Sequence, residues 1–356
     1  MKKKNSWFNN NINRITWLDH YTKPEKVEGA IKLDSNENFM LDKDFVAGVA
    51  TEAAKQVDLR EYPLGQIDEL YAQLATYVGV SGECVAVGSG SDQIFELLLS
   101  TVGSRRATVF SPTFSYFINR CELHDIKVYQ VPLKPDFTLD RKAFVKAAKR
   151  SDLIYICSPN NPTGNQLGRQ EMIEVVDSLE DKLVLIDEAY VDFADYSLSN
   201  EAIKRNNVIV VRTLSKAFGL AGARVGYIVS NRKFVKIFRS IIQSPYPIST
   251  LSLAIASGVL ADTDQIKQTI ISVRSERERV FARLAKIDGI KIFRSDANFI
   301  FIEAGKNYHA ISRILNNNRI VVKLLGNIAN HRGCMRITIG TREMNDKYLQ
   351  CIEQII

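Results

Sequence analysis

Across its 356 residues this chain carries four histidines, five cysteines and two tryptophans. It also lacks any apolar run near the roughly 18 residues that would argue for a membrane-crossing helix. Each shortage excludes something. His20, His124, His309 and His331 are scattered, without the spacing of a metal centre. Cys84, Cys121, Cys157, Cys334 and Cys351 are odd in number and far apart, which argues for reduced, mostly buried thiols and against a disulfide framework. The basic start MKKK leads into Asn9, Asn10 and Asn11 and not into the apolar core of a secretion signal, so a cytoplasmic protein is expected. A net charge of +7 is modest for this length and spread along the chain. It reads as a solvated basic surface that helps recruit anionic small molecules, and neither a nucleic acid nor a membrane is expected as a partner.

The rest of the composition, 46% hydrophobic and 24% charged, is that of an ordinary globular protein. The length exceeds what one core sustains, so a large and a smaller domain are expected. Strand-like runs alternate with helical ones from about Val85 to Tyr227, at 107–110, 127–131, 153–157, 183–186 and 208–211. That alternation predicts an α/β fold with a mostly parallel sheet flanked by helices. The proline-rich break SPYPIS at 244–249 marks a boundary. After it come a long helical pattern over 264–285 and strand-like runs at 290–293, 299–302 and 334–339, which predict a smaller α+β domain. The expected division is an N-terminal arm over 1–35, a large domain over 36–245 and a small domain over 246–356.

Four segments of the large domain carry chemistry. Lys216 follows the buried run 208–211, where an amine is costly to bury unless it has a task; a Schiff base is the commonest such task. Most lysines after strands are solvated loop residues, so the segment needs company. Asp187 ends the apolar run 183–186, as a carboxylate does where a parallel strand lines a site. Asn161 lies in the turn SPNNPTG at 158–164, which presents its amide at a fixed angle. Gly90, Ser91 and Asp92 open a helix whose free N–H groups suit a phosphate. Amine, acid, amide donor and phosphate cup together match what pyridoxal phosphate requires.

With these motifs, and with LDSNEN at 33–38, DEAY at 187–190, TLSKAFG at 213–219 and GCMRITIGT at 333–341, the chain resembles the fold-type I aminotransferases, most closely their histidinol-phosphate branch. The resemblance implies a seven-stranded, mostly parallel large-domain sheet and pyridoxal 5'-phosphate as cofactor. Lys216 would be the Schiff-base lysine and Asp187 the partner of the ring nitrogen, with Asn161 and Tyr190 on the ring's phenolic oxygen. Ser91, Asp92, Thr213, Ser215 and Arg224 would surround the phosphate, and Phe114 would stack on the ring. Tyr62 would reach the neighbouring subunit's cofactor, which implies a homodimer with shared sites. Taken singly, Phe114 is more often a core residue and Tyr62 normally a surface turn residue, and Asp92 could simply cap its helix.

Substrate recognition falls to Tyr21, Asn36, Lys323 and Arg336 by the same resemblance. Arg336 lies mid-strand, where its fork suits a carboxylate or phosphate. In this branch it serves glutamate and the phosphorylated amine in turn. Lys323 stands where the branch has a second arginine, which keeps the charge and loses the bidentate fork; it also reads as a solvent-facing loop lysine. Asn327, His331 and Arg332 are nearby candidates to share its role. The implied reaction converts histidinol phosphate and 2-oxoglutarate to imidazole-acetol phosphate and glutamate, reversibly. An aromatic or broad-specificity aminotransferase and a decarboxylase of a phosphoamino acid such as threonine phosphate are the alternatives.

Overall fold

The computed structural model describes residues 7–16 and 27–354, so Tyr21 lies outside the described residues. The strands are β1 (Ile31–Leu33), β2 (Val85–Gly88), β3 (Arg106–Ser111), β4 (Lys127–Pro132), β5 (Leu153–Cys157), β6 (Leu183–Asp187), β7 (Val208–Thr213), β8 (Gly226–Val229), β9 (Lys291–Ile292), β10 (Phe299–Glu303), β11 (Ile320–Ile328) and β12 (His331–Thr338). They form a seven-stranded sheet in the order β2-β8-β7-β6-β5-β3-β4 and a five-stranded sheet in the order β1-β11-β12-β10-β9.

In the larger sheet β3, β4, β5, β6 and β7 run parallel, while β8 is antiparallel to both of its neighbours. Helices cover the faces of such a sheet, so its central strands are apolar on both sides: every residue of β5 and β7 is buried. The helix Gly90–Thr101 shows the complementary pattern, burying Ile94, Phe95, Leu98 and Leu99 on one stripe. Full burial of one such side chain contributes roughly 1.5–3 kcal/mol. The topology places the C-terminal ends of β2, β3, β5, β6 and β7 on one edge. Ligands in open α/β sheets bind there, outside the carboxyl ends of the strands.

The smaller sheet differs from the sequence expectation in two respects. Residues 320–328 form a strand, so Lys323 is not in a loop. The run expected at 290–293 contributes only Lys291 and Ile292. β1 joins this sheet by pairing in parallel with β11, which brings the LDSNEN segment against it. The helix Thr250–Ala261 packs on the helices Lys43–Gln56 and Gln66–Val78. The two sheets also meet through Phe137, whose ring lies 4.7 Å from both Phe293 and His331.

Behind the larger sheet's edge is a buried charge pair. Arg212 of β7 bonds Asp192, which also accepts a hydrogen bond from the Tyr77 hydroxyl at 2.9 Å. The guanidinium lies over the Tyr77 and Tyr227 rings, at 5.8 and 5.6 Å. Removing one member of such a pair leaves a buried charge uncompensated. The pair therefore fixes the turn that follows Tyr190.

Among the described residues, no helix is long and apolar enough to cross a membrane, and no group of His, Cys, Asp and Glu is placed to hold a metal. All five cysteines are free and buried.

Candidate active site

At the C-terminal edge of the larger sheet, beside the smaller one, lies a cavity of about 770 Å³. Strand ends supply most of its wall: Ser91 and Asp92 after β2, Phe114 after β3, Asn161 after β5, Asp187 at the end of β6, and Thr213, Ser215 and Lys216 at and after β7. Arg224 enters just before β8. The smaller sheet and the segment after β1 add Asn36, Lys323 and Arg336, and Tyr190 closes one side.

Lys216 keeps part of its surface open to this cavity, and its amine donates to the Ser35 carbonyl at 2.9 Å. Burial, reinforced by the positive charge of Arg336, lowers the amine to about 8, so an appreciable fraction is neutral and nucleophilic near pH 7. Asp187 is buried, and burial raises it to about 6 against the pull of two hydrogen bonds. The Tyr155 hydroxyl donates to one carboxylate oxygen at 2.6 Å and the Ala189 N–H to the other at 3.1 Å. Tyr190 accepts the Asn36 amide N–H at 2.9 Å. Asn36 itself is clamped by Thr338 and Asn298, and its φ of 55° is one that an asparagine tolerates.

The anion cup depends on a close backbone approach. A Cβ at Gly226 would stand 2.5 Å from both the Gly90 carbonyl carbon and the Ser91 nitrogen, so only glycine lets β8 start there. Arg224, held in the left-handed region at φ 55°, reaches across to Asp92, with Nη2 to carboxylate oxygen at 3.0 Å. A Cβ at Gly90 would meet this guanidinium at 2.6 Å. Left-handed backbone costs a non-glycine residue energy and persists where surrounding structure enforces it. Asp92 lies in the first helical turn without capping it; the Gln93 side chain reaches back to the Ser89 N–H instead.

Arg336 is buried. One guanidinium nitrogen donates to the Asn161 side-chain oxygen at 2.6 Å and another to the Asp34 carbonyl at 2.5 Å. With its oxygen so occupied, the Asn161 amide has its N–H₂ end left to offer as a donor. Lys323 is the cross-strand partner of Arg336 in the β11–β12 register. Two cations directly opposite each other repel unless an anion sits between them.

These residues fit pyridoxal phosphate: a buried, partly neutral amine, a buried carboxylate, an amide donor and a helix N-terminus beside an arginine converge on one cavity. Tyr62, expected at a neighbouring subunit's site, stacks within this chain on Tyr246, with ring centroids 4.3 Å apart. One expectation is corrected. His331 shares nothing with Lys323; it bonds Glu303 at 2.8 Å inside the aromatic cluster of Phe137 and Phe293. Asn327 accepts the Gly333 N–H, and neither it nor Arg332 is in the cavity wall. Conversely Asp34, Ser35, Thr113, Ser115, Tyr116, Asn119 and Cys157 line the cavity without having been foreseen. For Thr113, Ser115 and Tyr116 the signal was at hand, since they flank Phe114 in one turn.

A family model described as aminotransferase class I and II matches residues 28–352. The chain is 34% identical over 334 residues to the histidinol-phosphate aminotransferase of Thermococcus gammatolerans, covering 92% of this chain and 93% of that protein. It is 33% identical to that of Pyrococcus furiosus, covering 86% of each. Among solved structures, histidinol-phosphate aminotransferase from Sinorhizobium meliloti in complex with pyridoxal-5'-phosphate superposes with a TM-score of 0.85 at 25% identity, covering 96% of each chain.

Proposed function

This chain belongs to the aminotransferase class I and II family, and from that premise we propose that it interconverts histidinol phosphate plus 2-oxoglutarate with imidazole-acetol phosphate plus glutamate, in histidine biosynthesis. The observation that carries the substrate assignment is the Lys323–Arg336 cross-strand pair at the cavity wall. Two cations facing one cavity suit an anion, which the phosphate of one substrate and the side-chain carboxylate of the other would supply in turn.

Bound pyridoxal 5'-phosphate supplies an aldehyde for the amine and a ring that withdraws electrons from the substrate's α-carbon. The protein's part is positional. Ser91, the helix N-terminus at Gly90, Thr213, Ser215 and Arg224 hold the phosphate, and Asp92 holds Arg224. Asp187 would serve the ring nitrogen, Phe114 the ring face, and Asn161 and Tyr190 the phenolic oxygen. Arg336 fixes the substrate anion so that the α-carbon stands over Lys216. The Lys216 amine would serve as the general base and acid that moves the substrate's α-proton.

The same reading makes the protein a cytoplasmic homodimer with a large and a small domain, the helix Thr250–Ala261 counted with the large one. Leu59, Tyr62, Leu64 and Ile241 are 71, 70, 77 and 73% exposed. Tyr62 and Tyr246 bring their two segments together, and such an apolar surface fits burial against a second copy. Sedimentation at twice the chain mass is expected; a monomer at micromolar concentration would refute this part.

The test of the reaction is a half-reaction. The purified yellow protein is mixed with histidinol phosphate, loss of the visible cofactor band is followed, and 2-oxoglutarate is then added. Bleaching and recovery are expected. A protein that stays yellow with histidinol phosphate, but bleaches with phenylalanine or releases carbon dioxide from threonine phosphate, would overturn the assignment. Lys323→Ala is expected to raise KM for histidinol phosphate about tenfold or more with kcat little changed, the loss of one charged hydrogen bond.

A further inference from the structure

Tyr155 stands behind the cavity, outside every role assigned so far. Its side chain is fully buried in the middle of β5. The ring is stacked on Phe117, with centroids 3.8 Å apart and planes 11° from parallel, and Phe95 meets it edge-on at 5.8 Å. Phe95 belongs to the helix that opens with the anion cup, and Phe117 to the helix that follows Phe114. The aromatic packing thus fixes the ring relative to the site, and it aims the hydroxyl at the Asp187 carboxylate, 2.6 Å away.

Burial and the adjacent negative charge push this phenol well above its ordinary value, so it remains a donor throughout the working pH range. The other titratable groups that act on Asp187 are Cys157 beside Tyr155 on β5, Lys216 after β7, Asp92 in the cup helix and Tyr190 on its own segment. The Tyr155 O–H bond at 2.6 Å is the short one among them, and the Cys157 thiol, which also bonds Asp187, is a weak donor.

We propose that Tyr155 is a positioning residue that acts through Asp187, its O–H bond keeping that carboxylate ionised so that the proton between Asp187 and the cofactor ring nitrogen stays on the ring. This rests on the cofactor reading above. The step at issue is a proton transfer: the ring N–H bond breaks, an Asp187 O–H bond forms, and the two opposite charges are lost together. A buried, unpaired carboxylate favours that neutral arrangement, because burial penalises its ionised form. A fixed hydroxyl donor stabilises only the ionised form and so opposes the transfer. A ring without its proton is a poorer electron sink, and the loss would show in kcat.

The test uses holoenzyme carrying pyridoxal phosphate labelled with ¹⁵N in the ring, whose chemical shift reports protonation at that atom. Tyr155→Phe keeps the stack on Phe117 and removes one oxygen. Its ring-nitrogen signal is expected to move toward the unprotonated position, with kcat lower by about 10- to 100-fold, the worth of one hydrogen bond to a charged group, and KM nearly unchanged. An unmoved signal, whatever happens to kcat, would overturn the proposal, since a merely structural role slows turnover without relocating this proton. Should Tyr155→Phe fail to fold, 4-aminophenylalanine at position 155 keeps a weaker donor in place. It is expected to shift the signal in the same direction by less, and no shift overturns the proposal. Wild-type protein that acquires no visible band with pyridoxal phosphate would instead refute the cofactor reading itself.

Discussion

Lys216→Ala is expected to lower kcat by about four orders of magnitude, the scale of a lost general acid–base group, to which the lost covalent link adds. The reason lies in how the fold treats one amine. Lys216 follows β7, a strand buried along its whole length, and its amine is fixed on the Ser35 carbonyl at 2.9 Å. With the amine lowered to about 8, about a tenth is neutral at pH 7, against about one part in 3,000 for an unperturbed lysine. Capture of the cofactor aldehyde by the apo-protein should therefore accelerate about tenfold per pH unit between about 6 and about 8 and level off above that. The sign follows from the depressed value: the reactive neutral form is present above it and is lost as pH falls through it. In the alanine variant the cofactor still meets the cup and Asp187, so it should bind without a covalent link. Borohydride reduction followed by intact-mass measurement checks this, with the cofactor mass retained by wild type and absent from the variant. Retained mass at another lysine, or full turnover in the variant, would remove Lys216 from its role.

Why so much of this site was legible in the sequence is a matter of topology. In a parallel sheet the functional groups sit where apolar runs stop, and Asp187, Asn161, Lys216 and the Gly90 turn each follow such a run directly. Tyr155 was not legible for the converse reason. It lies inside the run LIYIC, where any aromatic reads as core, and its partner Asp187 is brought beside it by the pairing of β5 with β6. β11 was hidden differently. Its register with β12 shifts between Leu324 and Gly326 and again between Gly326 and Ile328, so its residues do not alternate cleanly. Lys323 consequently resembled a loop residue. Arg212 and Asp192 were passed over because a buried ion pair is visible only once both partners are in space. Tyr62 was assigned wholly by resemblance, and within one chain it meets Tyr246 and not the cofactor site.

Asp187→Asn carries the second large effect, an expected loss of about 10²- to 10³-fold in kcat, the scale for removing one preorganised electrostatic contact to developing charge. The amide keeps the size of the carboxylate and can still accept from Tyr155, while its N–H₂ then faces the Ala189 N–H, which loses its acceptor. What disappears is the negative charge opposite the ring nitrogen. Substrate KM should hold if, as proposed, Arg336 and Lys323 bind the substrate anion from the smaller sheet. The pH dependence separates this residue from Lys216. Burial raises Asp187 to about 6, so its charge is present above that value and lost as pH falls through it. Cofactor capture in wild type should then show two acid limbs, one from Lys216 below about 8 and a second from Asp187 below about 6. A plot of the logarithm of the capture rate against pH should have unit slope between them and steepen toward a slope of two below the lower one. In Asp187→Asn the slope should remain one throughout, since the amide does not titrate. Stopped-flow measurement of the visible band from pH 5 to 9 decides the matter. An unchanged steepening in the variant would assign the lower limb to another group and leave Asp187 without its electrostatic role.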